Sequence, residues 1–364
     1  MEYRRLPHGD EQISVIGLGT SSLGESDESE IIGVIEHAMQ NGINYIDLAA
    51  GHAKTFEAVG KAIKGKRDQV YLQIHFGALY DSGAYGWSTD PKAIKKSIAW
   101  QLEKLGTNTI DFGFIHCLDE AADLEAFKRH GIIELLLSLK EQGIVKHLGL
   151  SSHTPALVHK VLDMNLIDMV MFSINPAYDN QYGDYAIGEN NERMNLYRRC
   201  EKEGVAISVM KPFCGGQLLD AKKSPFHHAL SEVQCIQYAL DKPAVVTVLP
   251  GVRNLRDLQS ILNYLNASDE ARDYSVLGSF EAIKQQGKCV YCKHCHPCPA
   301  GLDIALINKY YDLALLDDEL AKDHYHHLAK KASDCIQCAH CNTRCPFRVN
   351  QMDRMKEISA YFGE

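Results

Sequence analysis

From residue 13 to about 250 the chain alternates short β-branched runs with longer helical patterns, and that alternation predicts βα units on a parallel sheet. Eight runs read as strands: 13–19, 44–48, 70–75, 110–116, 146–150, 168–173, 205–211 and 245–249. Several helical patterns stop at a glycine just ahead of the next strand, at Gly42, Gly106, Gly143 and Gly204, where a left-handed residue ends a helix. Eight such units close into a (β/α)8 TIM barrel; an open doubly wound sheet would need a Gly-x-Gly-x-x-Gly turn after the first strand, and none is there. Residues 1–12 read as a short hairpin across the bottom, turning at His8, Gly9 and Asp10. After a last barrel helix at 254–266 the strands cease. Helical stretches begin at 271–286 and resume at 305–316 and 318–331, which divides the chain into a barrel, 1–270, and a small, mostly helical domain, 271–364.

The 364 residues exceed one average domain, and removing the C-terminal part leaves a length that suits a barrel of about 250 residues. At 45% hydrophobic and 23% charged, the composition is that of a soluble globular protein. No apolar run approaches the ~18 residues that a membrane span needs, and the start, Met1 to Pro7, lacks the apolar core of a secretory signal. No membrane partner and a cytoplasmic location are therefore expected. A net charge of -9 offers no basic field for a phosphate backbone, so nucleic acid is not an expected partner.

Cysteine changes the picture. Of twelve, eight fall in two runs, Cys289-x2-Cys292-x2-Cys295-x2-Cys298-Pro299 and Cys335-x2-Cys338-x2-Cys341-x3-Cys345-Pro346. The spacing and trailing prolines match the bacterial ferredoxin pattern for two [4Fe-4S] clusters, in which the fourth cysteine of each run ligates the other cluster. On that pattern Cys289, Cys292, Cys295 and Cys345 hold one cluster and Cys335, Cys338, Cys341 and Cys298 the other; the first run is one residue shorter before its last cysteine. Paired zinc knuckles are the competing reading. Cys117, Cys200, Cys214 and Cys235 are scattered, which argues against a disulfide framework and for a reducing, oxygen-poor setting. His324 to His327 reads as a solvated face.

In such a barrel the reacting groups lie at the C-terminal strand ends. There the sequence places Asp47 and His52, His75, His116, the run Ser151-Ser152-His153, Ser173 and Asn175, Lys211, and a Pro250-Gly251 loop at a helix N-terminus suited to an anion. Asp47, His52, His75 and His116 come from adjacent strands and can converge. The loops 76–88, with Tyr80, Tyr85 and Trp87, and 174–190, with Tyr178, Tyr182 and Tyr185, read as substrate lids or as ordinary surface loops.

The stretch Asn44 to His52, followed by Phe56-Glu-Ala-Val-Gly-Lys-Ala62, resembles the Asp-x-Ala-x-x-Tyr and Glu-x-x-x-Gly signature of the aldo-keto reductase superfamily. Ile110 to His116, Leu148 to Ser152 and Val209 to Pro212 agree, so the resemblance spans 1–266, and a two-cluster ferredoxin-like tail occurs in one branch of that superfamily. The resemblance implies an Asp, Tyr, Lys and His tetrad with tyrosine as the proton donor. Asp47 and His116 match, but His52 stands at the tyrosine and His75 at the lysine. It also implies a basic residue after the eighth strand for the NADPH 2′-phosphate; Asp257 stands nearest that register, with Arg253 and Arg256 close by.

Three enzymatic readings result. In the first, an iron-sulfur oxidoreductase passes electrons from two [4Fe-4S] clusters to a small organic substrate at the barrel mouth, supplied by a ferredoxin or flavodoxin, with histidines as acid and base. The second is an NADPH-dependent carbonyl reductase in which His52 replaces tyrosine and Ser151, Ser152, Lys211 and Gly251 hold the cofactor. In the third, Asp47, His52, His75 and His116 bind a divalent metal. A non-enzymatic redox relay would need only the clusters, and the polar strand ends argue against it.

Overall fold

The first expected strand divides in two. In the computed structural model, which describes all residues except 50, 81–82, 84, 184, 280–288, 290–294, 316–318 and 346–348 and the side chains of 278, 279, 313 and 320, β1 (Tyr3–Arg5) pairs antiparallel with β2 (Gln12–Ser14), Tyr3 opposite Ser14. Only β3 (Leu18–Gly19) joins the barrel. The β-branched run 13–16 hides the break because both halves are buried. The Ser14 hydroxyl donates to the Ile16 carbonyl at 2.7 Å and accepts from the Asn44 amide at 3.1 Å, which turns the chain out of the hairpin.

The remaining strands are β4 (Tyr45–Asp47), β5 (Tyr71–Phe76), a short hairpin of β6 (Ala78–Leu79) and β7 (Gly86–Trp87), then β8 (Ile110–Ile115), β9 (Val145–Ser152), β10 (Met169–Ser173), β11 (Ala206–Met210) and β12 (Val245–Val248). The eight-stranded sheet runs β3-β4-β5-β8-β9-β10-β11-β12 with every pair parallel. Bridges Ile16–Val248 and Gly19–Gly251 close it into the expected barrel. Gly42, Gly106, Gly143 and Gly204 all have positive φ, as expected where helices end ahead of β4, β8, β9 and β11.

Alternate residues of each strand point inward. The interior is packed by Tyr45, Phe112, Phe114, Met169, Met171, Ala206, Val246 and Leu249, and Leu6 and Ile13 of the hairpin plug its base. Gly149 makes room for the Phe114 ring, since a Cβ there would lie 2.2 Å from it. Above this apolar layer the inward positions turn polar, which places the chemistry at the C-terminal strand ends.

Two compact units are present, Met1–Phe280 and Glu281–Glu364. The helix expected over 271–286 is not continuous: Asp269–Arg272 ends at Asp273, whose carboxylate accepts from the Ser275 amide at 2.7 Å and starts a separate turn, Ser275–Ser279. Residues 280–286 of that expectation lie outside the described residues. The second unit contains helices Ile304–Ala314, Glu319–His326, His340–Arg344 and Gln351–Tyr361. No helix among the described residues is long and apolar enough to cross a membrane.

Candidate active site

Asp47 closes β4, His75 is the penultimate residue of β5, and His116 directly follows β8; all three are buried. Because these strands are neighbours, inward positions at the same height meet. His75 Nε2 lies 2.7 Å from Asp47 Oδ1, and His75 Nδ1 lies 2.9 Å from His116 Nδ1. His116 Nε2 then lies 2.9 Å from the hydroxyl of Tyr85. The result is an unbroken line from a carboxylate through two imidazoles to a phenol.

Polarity along this line is set from below. Burial pushes the Tyr45 hydroxyl well above its usual range, with the nearby carboxylates of Asp47 and Asp111 adding to it, so Tyr45 remains a donor. It donates to Gln73 Oε1 at 2.5 Å, which turns the Gln73 amide nitrogen toward Asp47 Oδ1 at 2.9 Å. Asp47 Oδ1 therefore accepts from both Gln73 and His75 Nε2. With its Nε2 proton committed to Asp47, a neutral His75 accepts at Nδ1 from His116 Nδ1–H. His116 Nε2 is then the acceptor for Tyr85 O–H. One further proton on the pair would reverse the last bond, with His116 Nε2–H donating to the Tyr85 hydroxyl.

His52 is not part of this line. The structure leaves it exposed, with its ring against Gly24, where a Cβ would meet it at 2.5 Å. Tyr85 enters in its place from the loop after β5. The Tyr85 amide donates to Gly51 O at 3.2 Å and the Ala53 amide to Gly83 O at 3.0 Å, so the two loops hold each other. The expected metal set of Asp47, His52, His75 and His116 is not assembled either, because both nitrogens of His75 are engaged in hydrogen bonds and His52 stands apart.

The other strand-end residues divide between the mouth and its supports. Ser151 lies on the inward register of β9, whereas Ser152 faces outward and donates to Leu118 O at 2.7 Å, which makes it a loop anchor rather than the expected cofactor ligand. Ser173 ends β10 on the inward register, and its buried hydroxyl has no hydrogen-bond partner among the described residues. Asn175 caps the following turn and donates to Lys211 O at 2.9 Å. Lys211 has φ 55° and lays its ammonium over the Tyr185 ring, 3.9 Å from the centroid. Gly251 is exposed beside Gly19. Arg253, 71% exposed, is paired with Asp257 at 2.7 Å, so a carboxylate already occupies the basic group expected to meet a 2′-phosphate.

Among its described residues, loop 174–190 is packed rather than open. Tyr178, Tyr182 and Tyr185 are buried, and Asp179 accepts from Arg193 Nε at 2.8 Å, Tyr197 at 2.7 Å and Tyr238 at 2.9 Å. In loop 76–88, Tyr80 is buried and stacks on Trp100 at 5.8 Å, so of that loop's tyrosines it is Tyr85 that joins the histidine line.

In the second unit one pocket is lined by Cys295, Cys298, Cys335, Cys338 and Cys341, with Leu302, Ile304 and Met352 as apolar walls. It brings Cys298 of the first run to three cysteines of the second, with Cys295 beside them. Cys289 Sγ lies 3.6 Å from Gln351 Nε2. Cys345 follows the helix His340–Arg344, and Cys292 lies outside the described residues.

The model of the aldo/keto reductase family matches residues 15–234. The chain is 26% identical over 297 residues to the uncharacterized oxidoreductase YqkF of Bacillus subtilis, covering 73% of this chain and 92% of that protein. It is 22% identical over 227 residues to the aldo-keto reductase yakc (NADP(+)) of Schizosaccharomyces pombe, covering 60% of this chain and 63% of that one. Among solved structures it is similar to the holo form of aldo-keto reductase AKR11C1 from Bacillus halodurans, with a TM-score of 0.62 at 22% identity over 78% of this chain and 97% of that one. It is also similar to an aldo-keto reductase from Klebsiella pneumoniae in complex with NADPH, with a TM-score of 0.54 at 18% identity over 74% and 93%. These structural likenesses show the barrel fold.

Proposed function

The chain belongs to the aldo/keto reductase family and is an oxidoreductase, and from that premise we propose that it is a carbonyl reductase whose proton donor is Tyr85. The observation that carries this reading is the 2.9 Å contact between the Tyr85 hydroxyl and His116 Nε2, at the end of the Asp47–His75–His116 line. It supplies from the loop after β5 the phenol that is missing at position 52. A dinucleotide fits the mouth at three points: the Ser151 and Ser173 hydroxyls on the inner face, and the side-chain-free junction of Gly19 and Gly251, where a Cβ on Gly19 would already lie 3.3 Å from Pro250 O.

When bound, a reduced nicotinamide supplies the hydride for the carbonyl carbon. Tyr85 donates its hydroxyl proton to the carbonyl oxygen, and His116 Nε2–H restores it. The positive charge left on the imidazole pair before transfer is balanced by Asp47, which holds His75 in register. Charge is thus passed along fixed hydrogen bonds.

The test is NADPH-dependent reduction of a panel of aldehydes and ketones. Tyr85→Phe should lower kcat by about 10²–10⁴-fold, the range expected for loss of a positioned acid. His52→Ala should remain within about threefold of the parent, because loss of an exposed side chain outside the line removes no proton donor. Loss of activity in His52→Ala with retention in Tyr85→Phe would reverse the assignment.

A second reading concerns the electron source and rests on the cysteine-lined pocket. Four thiols of the two runs and a fifth beside them, walled by apolar side chains, suit a cluster of iron and sulfide. In this reading two [4Fe-4S] clusters, held by Cys289, Cys292, Cys295 and Cys345 and by Cys335, Cys338, Cys341 and Cys298, feed electrons to the barrel from a ferredoxin or flavodoxin. Anaerobic reconstitution should yield about eight irons with matching labile sulfide. Zinc without sulfide would remove the clusters, and tight NADPH binding to the cluster-loaded protein would favour the nicotinamide route.

A further inference from the structure

A second group of reactive side chains sits at the mouth, apart from the histidine line and independent of either reading above. Cys117, Asp119 and His153 are all at least nine-tenths buried, and one donor atom from each lies within 4.8 Å of the others. The local backbone is built to gather them. Cys117 takes φ 45°, an uncommon conformation for a residue with a side chain, as the chain leaves β8. The Leu118 amide then donates to Ser151 O at 2.8 Å, and Leu118 O accepts from Ser152 Oγ, so this loop is clamped to the end of β9.

The two oxygens of Asp119 have different tasks. Oδ1 accepts from the His153 backbone amide at 2.5 Å, which fixes the carboxylate plane, and lies 3.2 Å from Ser152 Oγ, whose proton is directed at Leu118 O. Oδ2 is thereby aimed at His153 Nδ1, 2.8 Å away, and at Cys117 Sγ, 3.6 Å away. The His153 ring is held flat against Tyr185, centroids 3.9 Å apart. Around a tetrahedral zinc, with Zn–S of about 2.3 Å and Zn–O of about 2.0 Å, a sulfur and an oxygen ligand stand about 3.5 Å apart. The Cys117–Asp119 separation, 3.6 Å, is close to that value, whereas the Asp119–His153 separation, 2.8 Å, is that of a hydrogen bond and must widen to about 3.3 Å to admit the ion.

We propose that Cys117, Asp119 and His153 form a binding site for one borderline-soft divalent metal ion of the Zn(II) or Fe(II) kind, using a thiolate, a single carboxylate oxygen and an imidazole nitrogen. Three protein ligands leave a fourth position for water or a substrate oxygen. Binding releases the thiol proton and replaces the Asp119–His153 hydrogen bond with two bonds to the ion. The alternative role of Asp119 is simply to orient His153.

Anaerobic Co(II) titration of the full chain, with its C-terminal cysteine runs first loaded with iron and sulfide, separates the two. The metal site predicts one further equivalent bound, with a thiolate-to-cobalt charge-transfer band in the difference spectrum that Cys117→Ser abolishes and an affinity that Asp119→Asn lowers at least about tenfold. Equal uptake and identical spectra for the parent and Cys117→Ser would overturn it. Should Cys117→Ser fail to fold, the parent decides: Zn(II) should slow N-ethylmaleimide labelling of Cys117, read by peptide mass, and an unchanged rate refutes the site.

Discussion

Two networks of histidine and carboxylate occupy opposite ends of one barrel, and they differ in how they end. At the base, His147 meets Glu11 at 3.1 Å through Nε2 and Asp168 at 3.2 Å through Nδ1, while Lys146 pairs with Glu11 and Lys140 with Asp168 at 3.0 Å. Both ring nitrogens face carboxylates, both carboxylates meet a lysine, and Asp168 also meets His8 Nδ1 at 3.7 Å, so the network is a set of ion pairs whose outer members reach solvent. At the mouth, Asp47, His75 and His116 lead to the hydroxyl of half-buried Tyr85. The base network pairs carboxylates with cations and contributes stability; the one at the mouth ends in the phenol that the proposed reduction needs.

The charges bear this out at the base. Burial alone would raise the Glu11 carboxyl, but hydrogen bonds from Lys146 and His147 outweigh it and hold it at about 2. Burial likewise opposes the shifts of its neighbours, yet hydrogen bonds from His147 and Lys140 lower Asp168, and those to Asp168 and Glu11 raise His147.

The largest expected effect is at the mouth. Asp47→Asn should cost about 10²-fold or more in kcat, because the amide no longer balances a charged imidazole pair, with thermal stability little changed. A parallel fall in stability and activity would merge the two networks into one structural class. Gln73→Leu removes the donor that orients Asp47 and leaves Tyr45 without its acceptor; kcat should fall about tenfold and its pH profile should move, whereas a purely structural glutamine would leave the profile in place. Glu11→Gln should lower unfolding free energy by about 1–3 kcal/mol, read from urea midpoints, with kcat per folded molecule retained.

The smallest effect is in the pH dependence of stability. Lowered carboxyls contribute fully above their ordinary values of 4.5 for Glu11 and 3.8 for Asp168, and that contribution is lost as pH falls, through about 2 for Glu11. His147, raised from 6.5, contributes fully below 6.5, and its share is lost as pH rises through the raised value. Stability from this network should therefore be greatest between 4.5 and 6.5. Glu11→Gln should flatten the acid side of the curve of urea midpoints against pH; an unaltered acid side would show that Glu11 is not its source.

Much of the barrel was legible in order along the chain, because strand alternation and glycine helix stops are local. The division of 13–19 was not, since it depends on Asn44 reaching Ser14 from thirty residues away. Asp47, His75 and His116 could be named from strand ends, and neighbouring strands had to bring them together. Ser152 was misplaced because the face of a strand-end residue depends on register, which one residue reverses. Cys117 was visible only as a scattered thiol and Asp119 carried no signal of its own; the positive φ at 117 and the clamp to β9 create their proximity to His153.

By itself, then, the amino-acid sequence determined the number and order of the βα units, the polar character of the strand ends and the two cysteine runs, all of which follow from periodicity and spacing. Only the tertiary structure decided which aromatic residue completes the line. His52 lies where the signature places a tyrosine, but Tyr85 is the phenol that reaches His116, because backbone hydrogen bonds from Tyr85 to Gly51 and from Ala53 to Gly83 join two loops that are separate in sequence. Loop contacts of that kind carry no periodicity, so they become readable only when the barrel has brought the ends of β4, β5 and β8 side by side.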